Sequence, residues 1–389
     1  MTHVPEVVAP PPGNPRFPLM DALRALAALA VLVSHVAFVT GVDRGSWWGS
    51  LLANGSQGVT VFFVLSGFLL YRPLVRARVD GDAPPGWATF ARRRLLRIVP
   101  AYWLALTVLA IEPGLPGVFT DDWWRYYLFL QVYDHNTAIG GLVVAWSLCV
   151  EITFYLVLPF YALGVNRLLR GMDAARRVPA ELLLLGGLAV VSLVVRWVDF
   201  AEGPSQLQQT LVCYLLWFSL GMALAVLSVA VERRGAAGEP RVLGIVRAHP
   251  GWCWAGALAT YAVLCAYLGA PTAQGPNVDQ TVLGVQVLGG LAALLLVVPA
   301  VFVGVPGIPG RVLSWRPLVL LGIVSYGVYL WHTQVSTELG MHGVDGFAGR
   351  LAGTVALTAA VAALSYVLVE RPLLRFKSGG RARRKDPAG

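Results

Sequence analysis

Ten apolar runs, most of them close to the length of about 20 residues that crosses a bilayer as a helix, recur along this chain. They fall at 19–40, 56–75, 98–112, 143–165, 180–199, 209–231, 252–270, 281–304, 318–338 and 349–370. Lipid offers no partner to an open N–H or C=O, so each run is expected to satisfy its own backbone as an α-helix. The third run is short, and the aromatic stretch 123–133 is expected to lie in the interface or to re-enter. Only 13% of the 389 residues are charged, about half the share found in soluble domains. The fold class read from this pattern is all-α: a polytopic membrane protein of about ten transmembrane helices with little room for a soluble domain.

The arginines orient the bundle. With the N-terminus placed in the cytoplasm, the inside segments carry 25 Lys and Arg, while the outside loops carry only Arg44, Arg125 and Arg350. Cytoplasmic loops are the ones enriched in these residues, so both termini are expected in the cytoplasm. The same distribution explains the net charge of +9 without nucleic acid, which would need a basic face on a soluble module. Residues 1–17, with Pro10 to Pro12, read as a disordered tail with no cleavable signal peptide, and 373–389 as a basic cytoplasmic tail. The four cysteines sit inside apolar runs without CxxC spacing, so neither a disulfide framework nor a metal site is expected. The Arg, Ala, Gly and Val bias fits a high-GC genome, and the whole pattern points to a bacterial cell membrane.

An ionisable group within a span costs about 2.5–3.5 kcal/mol on insertion scales, so each one asks for a reason. Asp21, Arg24, His35, Glu151, Arg196 and His332 lie within the runs. Arg196 and Asp199, like Arg24 and Asp21, are three residues apart on a helix, a spacing that lets them pair. His35, Glu151 and His332 have no such neighbour. All three fall at similar depth in the outer half of the bilayer, which predicts a cluster. Arg24 and His35 are eleven residues apart, on one helix face and about 16 Å apart along the axis. Arg92, Arg93, Arg94 and Arg97 stand at the inner mouth of the third run, where guanidinium groups would either anchor the helix or grip phosphates bidentately.

These residues carry a resemblance. The segments Leu19-Met-Asp21-Ala-Leu-Arg24 through His35, Phe62-Phe-Val-Leu-Ser66-Gly-Phe68, Arg94-Leu-Leu-Arg97-Ile-Val-Pro100-Ala-Tyr102, Trp146-Ser-Leu-Cys-Val-Glu151-Ile-Thr-Phe-Tyr155 and Ser325-Tyr-Gly-Val-Tyr329-Leu-Trp-His332 resemble the acyltransferase 3 family of membrane O-acyltransferases over about residues 18–372. The resemblance implies ten core helices, an acyl-CoA co-substrate entering from the cytoplasm, no bound cofactor, and a hydroxyl acceptor on a carbohydrate, glycolipid or glycosylated natural product. It also implies that His35 matches the family's catalytic histidine and Arg24 its basic partner. Many relatives carry an appended esterase-like domain. None is expected here, which favours self-contained transfer.

The expected chemistry follows. A neutral imidazole suits a general base, so His35 would take the acceptor hydroxyl's proton while Glu151 orients the ring. Arg24, Arg93, Arg94 and Arg97, with Tyr102 and Ser66, would hold the donor. His332 and Tyr329 are second candidates, for acceptor binding. A transporter or flippase is the rival reading, because intramembrane ionisable groups also mark transport paths, but no inverted repeat supports it.

Overall fold

The computed structural model describes residues 18–44, 47–83, 86–138, 140–201, 206–234, 241–268, 282–303 and 307–375. The tail expected at 1–17 and most of the one expected at 373–389 lie outside the described residues. Sixteen α-helices follow in order: α1 (Pro18–Thr40), α2 (Trp47–Ala53), α3 (Gly58–Asp80), α4 (Trp87–Leu109), α5 (Trp123–Tyr127), α6 (Trp146–Leu168), α7 (Ala174–Ala201), α8 (Leu211–Arg234), α9 (Arg241–Ala248), α10 (Pro250–Leu268), α11 (Val282–Phe302), α12 (Gly307–Leu313), α13 (Arg316–Ile323), α14 (Ser325–Met341), α15 (Phe347–Ser365) and α16 (Arg371–Arg375). Among the described residues there is no strand.

Nine helices among the described residues are long and apolar enough to cross a membrane, or ten when the bent pair α13–α14 is counted as one span. The chain is a multi-pass, all-α membrane protein, as the apolar runs predict.

Two spans differ from their runs. The third begins at Trp87 rather than near residue 98, so Arg92 to Arg97 lie on α4 itself. Arg and Leu are good helix formers, and a hydropathy window sees only the charge. The ninth is broken at Val324, where α13 and α14 meet at 78°. At the break Ser325 Oγ donates to the Gly322 carbonyl at 2.8 Å, and Gly322 seats α13 directly on the α1 backbone at Asp21.

Glycine decides which helices are central. Of the membrane-crossing windows in α3 and α8, 67% of residues are buried, against 17% for α7. A Cβ at Gly67 of α3 would run into the Phe218 carbonyl of α8, and one at Gly221 of α8 would come within 2.8 Å of the Phe68 nitrogen. Small residues that let two backbones touch are the usual glue where lipid supplies no hydrophobic drive. Gly55 and Gly58 do the same against Ala30 and Ala27 of α1. Helix α1 is thereby enclosed by α3, α13, α14 and α15. Of the intramembrane charges, Arg196 donates through Nη1 to the Gln208 carbonyl at 3.1 Å and lies over the Tyr214 ring.

Replacing Gly221 by Leu is expected to cost about 3 kcal/mol or more, because backbone lies in the way and overpacked cores relax poorly. Gly187→Leu on α7, which meets open space, should stay within about 0.5 kcal/mol. Thermal unfolding of both variants in detergent measures the difference, and equal midpoints would refute the backbone-contact account.

Candidate active site

Five helices contribute to one pocket: Arg24 from α1, Ser66 from α3, Arg94 and Arg97 from α4, Glu151 and Tyr155 from α6, and Tyr329 from α14. It encloses about 780 Å³ counting its open mouth. Helical spacing explains who is present. Ser147, Glu151 and Tyr155 recur every four residues and share one face of α6, and Arg94 and Arg97 are three apart on α4. Glu151 Oε1 accepts from Ser66 Oγ at 2.5 Å and also from the Tyr155 hydroxyl. Arg24 lines the pocket and also pairs with Asp21 at 3.3 Å, so the local ion pair and the pocket are compatible. Three guanidinium groups and one carboxylate thus leave the pocket net positive.

Two histidines that are not part of the pocket lining meet each other. His35 Nδ1 and His332 Nε2 are 2.8 Å apart, with the rings stacked at 5.0 Å and 28°. His332 is 1% exposed, while His35 is half-buried. The second nitrogen of His332, Nδ1, faces the carbonyls of Val328 at 3.1 Å and Tyr329 at 2.9 Å. Carbonyls only accept, so Nδ1 of His332 carries the proton, and its Nε2 is left as an acceptor. His35 then donates through Nδ1–H, and its Nε2 keeps a free lone pair. Tyr329 joins the two regions: it lines the pocket, and its ring lies 5.9 Å from that of His332. Its hydroxyl donates to the Val144 carbonyl at 3.0 Å and lies 2.8 Å from Ser147 Oγ. Phe62, edge-on to Tyr329 at 6.2 Å, also lines the pocket.

The structure rearranges the residues predicted from sequence. The ring partner of His35 is His332; Glu151, expected there, sits in the arginine pocket instead. Similar depth was the ground for expecting one cluster, but depth along an axis says nothing about which way each helix face turns. Arg93 is exposed and outside the pocket, one residue and so about 100° round α4 from Arg94. Tyr102 is also outside it: fully buried, it stacks 4.3 Å from Phe129 and donates to the Tyr126 carbonyl at 2.9 Å, holding the loop before α6. Several groups were not among the expected site residues. Tyr155 is one, though its place four residues after Glu151 is a legible signal. Tyr326 is another; it lines the pocket and donates to the Ile98 carbonyl at 2.9 Å. Outside the pocket, Glu181 accepts from Tyr71 at 2.5 Å and pairs with Arg78. Among the described residues, no cluster of three or more His, Cys, Asp or Glu has the spacing of a metal site.

The sequence model of the acyltransferase 3 family, described as an acyltransferase domain, matches residues 17–370. The chain belongs to this family.

Among its relatives, the protein YrhL of Bacillus subtilis (strain 168) is 28% identical over 379 residues, covering 92% of this chain and 55% of its own. The peptidoglycan O-acetyltransferase OatA of Listeria monocytogenes is 26% identical, with 92% and 55% covered. The O-acetyltransferase OatA of Staphylococcus aureus (strain NCTC 8325 / PS 47) is 25% identical, with 92% and 58% covered. The chain therefore spans a little over half the length of these curated relatives. No solved structure matches it. In this acyltransferase domain the five segments that carry the family resemblance lie on α1, α3, α4, α6 and α14. These same helices form the arginine pocket and hold the histidine pair.

Removing the pocket's carboxylate should matter more than removing one of its donors. Glu151→Ala leaves three guanidinium groups facing one another and two hydroxyls without an acceptor, with an expected loss of about 2 kcal/mol. Ser66→Ala should cost about 1 kcal/mol or less. Denaturation midpoints of the purified variants decide it; a Glu151→Ala midpoint above that of the wild type would sink the argument.

Proposed function

We propose that this domain is a membrane O-acyltransferase that moves an acetyl or other short acyl group from acyl-CoA to a hydroxyl of a carbohydrate acceptor. The observation that carries the reading is the layout along α1. A cluster of guanidinium groups sits near one end, and about 16 Å further along the same face stands an imidazole with a free nitrogen. A CoA thioester has that layout too, with phosphates at one end and the reactive carbonyl at the other, joined by a thin arm. Guanidinium forks match phosphate oxygens, so Arg24, Arg94 and Arg97 would grip the nucleotide end. The arginine-rich end of the bundle would face the cytoplasm, where acyl-CoA is found, in keeping with the positive-inside pattern.

His35 would act as the general base through Nε2. It takes the acceptor hydroxyl's proton as that oxygen attacks the thioester carbonyl, and returns the proton to the departing thiolate when the C–S bond breaks. The relatives named as O-acetyltransferases support acetyl as the group transferred. The name of the Listeria relative supports a peptidoglycan-type glycan as the acceptor class.

The test is release of free thiol from acetyl-CoA by detergent-purified protein, with acetyl transfer to glycan fragments followed in parallel. His35→Ala should lower turnover by about 10²–10⁴-fold, the usual contribution of a general base. Arg94→Ala should instead raise KM for acetyl-CoA about tenfold or more, with a smaller change in kcat. Wild-type turnover in the His35→Ala protein would remove the base assignment.

A further inference from the structure

We infer that His332 is a positioning residue for His35: it holds the base in one tautomer by accepting its Nδ1–H, and it never carries the reaction's proton itself. The inference rests on the function proposed above and adds a role that neither the sequence nor the relatives assign.

The argument starts from what each nitrogen can do. A neutral imidazole has one N–H and one lone pair, so fixing one nitrogen fixes the other. Val328 O and Tyr329 O, at 3.1 and 2.9 Å, confine the proton of His332 to Nδ1. Helix geometry makes this durable, because the two carbonyls belong to the preceding turn of the same helix, α14. The lone pair on His332 Nε2 then points at His35 Nδ1 from 2.8 Å. Only the tautomer of His35 with its proton on Nδ1 satisfies that contact. Its Nε2 lone pair is thereby left outside the contact with His332.

The orienting group in this pair is neutral. Among the described residues, no carboxylate is hydrogen-bonded to either ring, and the pocket's carboxylate, Glu151, is engaged with Ser66 and Tyr155. A buried carboxylate here would need its own partners in a region that lipid and packed helices keep dry. A histidine capped by backbone carbonyls gives the same directional contact without a net charge. During attack the acceptor's proton moves to His35 Nε2, and the N–H on Nδ1 stays in place, donating to His332 throughout. When the C–S bond breaks, that proton passes to the thiolate and both rings return to their starting tautomers. His332 gains and loses nothing. The contact ties α1 to α14 at the level of the reacting atoms, and the α13–α14 break at Val324 is what brings α14 in at this angle.

The experiment compares His332→Ala, His332→Gln and wild type as full-length chains in detergent, each checked for monodispersity. Ala removes the acceptor, and Gln keeps a side-chain oxygen near the position of Nε2. His332→Ala should lower kcat by about 10²-fold or more with KM for acetyl-CoA little changed, since a base in the wrong tautomer is a base lost. His332→Gln should recover at least about tenfold of that loss. Equal activity of His332→Ala and wild type overturns the inference. So does a Gln variant no better than Ala, or a loss confined to acceptor KM. In wild-type protein with ¹⁵N-labelled histidine, both rings should show a protonated Nδ1 and a bare Nε2; a protonated Nε2 on His35 overturns it without any assay. A wild type that releases no thiol from acetyl-CoA would count against the proposed function, while the nitrogen spectrum would still decide the tautomer.

Discussion

In a bilayer a polar side chain has no water to fall back on, so it meets another polar group or carries a cost of several kcal/mol. The interior of this protein is organised by that constraint. Arg24, Arg94 and Arg97 share a pocket with Glu151, whose carboxylate is held by Ser66 and Tyr155. His35 meets His332, which in turn rests on two backbone carbonyls. Glu151, His35 and His332, which look expensive when their helices are drawn alone, each meet a residue on another helix or the turn before them.

Those meetings require helices to approach closely, and glycine makes this possible. The crossings of α3 with α8 at Gly67 and Gly221, and of α13 with α1 at Gly322, bring backbone onto backbone. Ser66 therefore has a double setting. Its neighbour Gly67 packs on Phe218, while its own hydroxyl turns the other way into the pocket and holds Glu151. A motif in which a small packing residue follows a polar one serves architecture on one face of the helix and chemistry on the other. The same economy appears on α14, where Tyr329 and His332, three residues apart, serve the pocket and the histidine pair in turn.

Much of the architecture was legible because lipid imposes a simple code. Apolar runs of spanning length can only be helices, and ten runs correspond to nine long helices and one bent pair. The code failed where charge sits on a helix that continues beyond the hydrocarbon. Arg92 to Arg97 ended the third run for a hydropathy reading, yet belong to α4. The break at Val324 was invisible too, since it depends on Gly322 finding the α1 backbone rather than on a local proline. Within the site, the residue types were legible and their partnerships were not. Arg24, Arg94, Arg97, Ser66, Glu151, His35, Tyr329 and His332 all fall in the pocket or the pair. Arg93 and Tyr102 do not, because a step of one residue turns a side chain about 100° and a run of basic and aromatic residues along the chain covers more than one face.

What the sequence determined by itself is the class of solvent, the helical nature of the spans, and the list of groups that lipid would not tolerate alone, since each follows from the free energy of transferring a residue into hydrocarbon. What only the tertiary structure decided is who meets whom. Depth and helical phase place a histidine at a level and on a face, but the rotation of one helix against another is set by packing at a few glycines and at the α13–α14 bend. Those contacts gave His35 a second imidazole rather than a carboxylate, and so determined which of its nitrogens is engaged and which is not.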